Sequence, residues 1–118
     1  MDKIVSKIAA LGVPGLILMT AIGATGLYGA AAITVALSAI GPGGMLGGII
    51  TLCAIGLISE GITEYGFDEL FKAVITEMYR KGDSKTTILQ KIDKYPISHS
   101  LKLTLRETIN KIDIMIIS

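Results

Sequence analysis

Apolar and polar positions fall into three regimes along this chain. From Asp2 to Leu11, Ile4, Ile8 and Leu11 share one helical face and Lys3, Ser6 and Lys7 the other. That spacing predicts a short amphipathic helix suited to a membrane surface, ended by Gly12 and Pro14. From Ile8 to Ser59 the periodicity disappears, because 52 consecutive residues include no Asp, Glu, Lys or Arg. A bilayer core is about 30 Å thick and one helical span takes about 20 apolar residues, so this stretch has the length of two spans. Gly41-Pro42-Gly43-Gly44 supplies the break between them, since Pro lacks the amide donor and Gly is unfavourable inside a helix. The expected spans are about 15–40 and 43–62. The first, at 26 residues, would measure about 39 Å; the second is shorter and brings Glu60 to the interface.

Beyond Gly66 the helical period returns. Phe67, Leu70, Phe71, Val74, Ile75 and Met78 form one continuous apolar stripe. Gly82 ends that helix, Asp83 or Ser84 caps the next, and Ile88, Leu89, Ile92 and Tyr95 supply its apolar face before Pro96. A last helix from about Ser98 carries the stripe Ile97, Leu101, Leu105, Ile109, Ile112 and Ile116, three or four apart. Leu101–Leu105 also alternates like a strand, but the helical stripe persists through the whole segment. The expected fold is therefore an all-α membrane protein. A short amphipathic helix precedes a two-span hairpin, and about three amphipathic helices follow it in a small cytoplasmic unit. The expected division is 1–66 for the helix and Gly/Ala-rich hairpin, and 67–118 for the soluble helical unit.

Composition sharpens this picture. The chain has 118 residues, is 51 % hydrophobic and has a formal charge of +1, but the charges are segregated. Residues 60–79 hold five acids against one base, and residues 80–111 hold eight bases against three acids. The bases are interleaved with apolar residues at helical spacing, which reads as a solvated helical face. With four Tyr, two Phe and no Trp, the chain has no stacking platform for single strands, and no nucleic-acid partner is expected. Lys3 and Lys7 precede the first span, Lys72, Arg80 and Lys81 follow the second, and the connection has no base. Both termini are thus expected in the cytoplasm of a multi-pass membrane protein. Two early lysines and small residues at Ala30–Ala32 would also fit a signal peptide, but Asp2 and the apolar run beyond any cleavage point argue against one.

Small residues decide how such helices pack, because lipid offers no hydrophobic drive for helix association. Ala21, Thr25 and Gly29 repeat every four residues, and so do Gly26, Ala30, Thr34 and Ser38. In the second span Gly44 with Gly48 and Gly47 with Thr51 do the same, with Gly56 further along. One ridge serves the partner helix and the other a neighbouring chain, which predicts self-association. Glu60 and Glu64, one turn apart, are the candidate acids at a pore mouth, where a ring of carboxylates would attract cations. Span hydroxyls such as Thr20 and Thr25 line a wet path or bond back to their own helix.

Catalytic chemistry finds no support. The single cysteine, Cys53, lies in an apolar run, the single histidine is His99, and no metal, nucleophile or phosphate-loop motif occurs. No enzymatic activity, cofactor or metal is expected. In outline, residues 1–81 resemble the small two-span phage holins and the hydrophobic-hairpin effectors that breach a cell's own membrane. No residue motif is shared, so no functional residue is carried across. The expected function is a homo-oligomeric pore or membrane permeabiliser. The alternative is a non-conducting membrane adaptor whose helices in 67–117 bind a partner protein.

Overall fold

The computed structural model describes residues 2–23, 48–95, 97 and 99–117, and among them the secondary structure is entirely helical. The helices are α1 (Asp2–Leu11), α2 (Val13–Gly23), α3 (Gly48–Tyr65), α4 (Phe67–Arg80), α5 (Lys85–Lys94) and α6 (His99–Ile117). The all-α expectation therefore holds for the described residues. The later part of the first expected span, the Gly41–Gly44 break and most small-residue positions lie outside them.

Local chemistry sets each boundary. Gly12 takes a φ of 71°, a left-handed conformation that side chains with a Cβ resist, and the chain bends by 112° between α1 and α2. Pro14 then falls in the first turn of α2, where its missing donor costs no helical hydrogen bond. Helix α3 closes at Gly66, whose N–H reaches Ile62 O at 2.9 Å. At the end of α4, Gly82 has a φ of 110°; its N–H bonds Tyr79 O and the Asp83 N–H bonds Met78 O, both at 3.1 Å. That pair of bonds is the Schellman closure, which favours Gly at this position. Ser84 caps α5, its Oγ accepting the Thr87 N–H at 3.1 Å. Tyr95 is extended, with φ −78° and ψ 142°, as a residue before proline tends to be.

The core draws on both sides of Gly66. Ile8, Leu16, Ile17, Met19, Ile58, Leu70, Phe71, Ile75, Ile88, Ile92, Leu105, Ile109 and Ile112 are all buried in one cluster. The stripe of α4 is buried at Leu70, Phe71, Val74, Ile75 and Met78. That of α6 is buried at Leu105, Ile109 and Ile112, with Leu101 and Ile116 packed against the cluster. Leu103, which the Leu101–Leu105 strand alternation would place beside the buried residues, is off the α6 stripe and exposed, as helix rather than strand periodicity requires. Helix α1 turns Val5, Ile8 and Ala9 inward and leaves Lys3, Ser6, Lys7 and Ala10 exposed. Its apolar face thus meets α2, α3 and α4.

Candidate functional site: a charge-free helix inside an amphipathic sheath

Helix α2 occupies the centre of this arrangement. Its sequence, VPGLILMTAIG, has no charge, and Val13, Gly15, Leu16, Ile17, Leu18, Met19, Thr20, Ala21 and Ile22 are all buried. A helix apolar on every side has no solvent face to offer, so it is stable only when wrapped or in lipid. Here α1, α3, α4, α5 and α6 all touch it. The hydroxyl of Thr20, fully buried, donates to Leu16 O at 2.9 Å. This threonine satisfies itself along its own helix and has no polar demand left for a neighbour. Among the described residues no single helix is long and apolar enough to cross a membrane.

The expected packing residues separate into three groups. Thr25, Gly26, Gly29, Ala30, Thr34, Ser38, Gly44 and Gly47 lie outside the described residues. Ala21 is buried within the chain itself, and Gly48 is the first residue of α3. Gly56 is exposed, and a Cβ built there would meet nothing within 4 Å, so it makes no close contact with another helix among the described residues. Glu60 and Glu64 are exposed as well. With Gly56 they repeat every four residues and form one outward ridge on α3.

Glycines not singled out from the sequence make the close approaches. A Cβ at Gly15 would stand 2.8 Å from Ile8 O, and one at Gly61 would stand 2.8 Å from Leu70 Cδ2 and 3.2 Å from Ile4 Cγ2. At Gly23 it would run into the ring of Phe67, which packs tilted against Phe71 with centroids 5.5 Å apart. The contacts at Gly15 and Gly23 bring α1 and α4 onto the sheathed helix, and those at Gly61 bring α3 onto α4 and α1. Four-residue spacing within one segment does not reveal them, because each glycine meets residues of another segment.

A second feature missed from the sequence is a polar node at the far end of the sheath. Tyr79 Oη donates to Asp113 Oδ1 at 2.8 Å, and Lys85 Nζ stands 3.6 Å from Asp113 Oδ2. Burial, the hydrogen bond to Asp113 and the charge of that carboxylate together push the Tyr79 phenol well above its ordinary range. One sequence signal for the node exists: Asp113 is the sole acid in the apolar tail Ile112–Ile117. Elsewhere, Lys111 pairs with Asp68 at 3.2 Å and Arg106 with Asp93 at 2.6 Å. An open surface cleft of about 510 Å³ is lined by Lys3, Val5, Ser6, Glu77 and Arg80. Its main charges are already matched, because Arg80 donates to both oxygens of Glu77 and so holds that carboxyl below its usual range. Among the described residues no three of His, Cys, Asp and Glu gather where a metal could sit.

No family model, curated protein or solved structure matches this chain. Its chemistry is therefore read from its own residues.

Proposed function

We propose that this chain permeabilises membranes as a homo-oligomer, its uncharged 8–59 segment entering the bilayer as a two-helix hairpin with both termini on the cytoplasmic side. The observation that carries this reading is α2, a helix without charge or unmet polar demand, wrapped by the amphipathic helices α1, α4, α5 and α6 and by the largely apolar α3. Alone, its 11 residues measure about 17 Å, short of a bilayer core. Residues 24–40, which follow it in the sequence, are also free of charge, and the two stretches together have the number of residues that a span needs. Lipid would accept α2 at little polar cost, since its backbone is helical and its hydroxyl is satisfied internally. The sheath is suited to the same transfer, because helices with one apolar face can exchange a protein core for the headgroup boundary.

Dye release from liposomes containing only this protein is the test. Release that rises more steeply than linearly with protein is the expected result, as assembly before leakage requires. Vesicles that stay tight with protein bound would remove the reading. The second reading, a membrane-anchored adaptor, is favoured by the outer face of α6, where Leu103, Ile114 and Met115 are exposed. Tight vesicles together with a co-purifying protein would support it.

A further inference from the structure

Helices α5 and α6 form a cover over α2. Both touch it, and both bury their apolar stripes, Ile88 and Ile92 in α5 and Leu105, Ile109 and Ile112 in α6. The cover joins α4 in the chain through the short turn at Lys81–Ser84, and side-chain ties hold α6 back onto α4. Those ties differ in kind. Lys111–Asp68 has side chains 63 % and 47 % exposed, so water screens it and replaces it readily. Asp113 is different: its side chain is 17 % exposed, and it holds α4 through Tyr79 and the first residue of α5 through Lys85. One carboxylate near the end of α6 thus joins three helices.

We infer that Asp113 is a latch that keeps the α5–α6 cover closed over α2: its bond to Tyr79 ties the cover to α4, the Lys85 ammonium within the cover holds the carboxylate in place, and breaking the Tyr79 bond uncovers α2 for the bilayer. This inference rests on the reading of α2 as a membrane-entering segment. The cover meets different surroundings in water and at a lipid surface. In water, opening exposes the stripes of α5 and α6 together with α2, and apolar burial resists it. At a lipid surface those stripes regain apolar surroundings, and that resistance largely cancels. The part of the closed state that lipid does not replace is the partly buried hydroxyl–carboxylate bond with its ammonium partner. Charge-assisted bonds of this kind are among the stronger ones, and losing one partner leaves the other poorly solvated. The latch therefore sets how readily the cover opens when the protein meets a membrane.

The test uses the full chain and its Tyr79→Phe variant, which removes one hydroxyl and keeps the ring. Amide hydrogen exchange is followed in water, and dye release from phosphatidylcholine–phosphatidylglycerol vesicles is followed in parallel. The expected result is exchange about tenfold faster in α2, α5 and α6, with α1, α3 and α4 unchanged and dye release faster than for the parent. Asp113→Asn, which still accepts from Tyr79 but loses the charge facing Lys85, should fall between the two. Unchanged α2 exchange in both variants overturns the latch whatever the vesicles do. An equal rise in all helices also overturns it, because the node would then be general stability alone. If α2 exchange rises selectively but neither protein releases dye, the latch stands and the permeabilisation reading fails.

Discussion

Tyr79 and Asp113 are a pair that sequence periodicity passes over, because each lies beside an apolar stripe. Met78 and Ile112 belong to the buried core, and the next residue in each helix carries the polar contact between them. The raised Tyr79 pKa has a stability consequence whose sign follows from linkage. A phenol held above its ordinary value of about 10 contributes stability that is fully present below that pH and is lost as pH rises towards the folded value. We expect the fold to weaken in alkali above about pH 10, and Tyr79→Phe to flatten that limb while lowering stability at neutral pH. Urea midpoints measured from neutral to alkaline pH check this. Parallel alkaline limbs for the two proteins would show that Tyr79 does not carry the effect.

At the scale of the helix, glycine has two opposite meanings in this chain, and the surroundings decide which applies. Gly15 backs onto the carbonyl of Ile8, with 2.8 Å available for a Cβ, and backbone cannot step aside as a flexible side chain can. The helix-propensity gain of about 1 kcal/mol for Ala over Gly is then outweighed by overpacking of about 1–3 kcal/mol. Gly15→Ala should lower stability by about 1 kcal/mol. Gly56 faces open space, so Gly56→Ala should raise it by up to about 1 kcal/mol. Chemical denaturation of both variants checks the pair, and a stabilised Gly15→Ala would show that α1 and α2 can shift apart. Three elements are legible in the sequence. The α4 and α6 stripes and the α5 boundaries follow from residues whose period, cap and stop agree. Between Asp83 and Ser84, only the structure chose the cap: Ser84 holds the Thr87 amide. The acids Glu60 and Glu64 were legible as a shared helical face, but spacing carries no statement of what that face meets.

Across the whole molecule, the charge-free run from Ile8 to Ser59 meets a second environment besides lipid. In the described residues, α2 is enclosed by helices from both sides of Gly66, and the core of α4 and α6 is the core of α2 as well. The hairpin proposal makes a topological prediction. In a Gly43→Cys variant with Cys53→Ser, the thiol should be reached by an impermeant reagent only from the face opposite the termini. Labelling from the cytoplasmic side would remove the two-span arrangement and leave α2 as the centre of a bundle.

The chain by itself determined the inward faces of α4, α5 and α6, because a 3.6-residue period and local caps are properties of neighbouring residues. It also determined that α2 must be hidden from water, since no turn of that helix carries a charge. Only the tertiary structure decided what hides it. Burial against a protein sheath and burial in lipid ask the same composition of a helix, so no periodicity separates them. The close glycines Gly15, Gly23 and Gly61 and the Tyr79–Asp113–Lys85 node follow from that choice, because each depends on which distant segments are brought into contact.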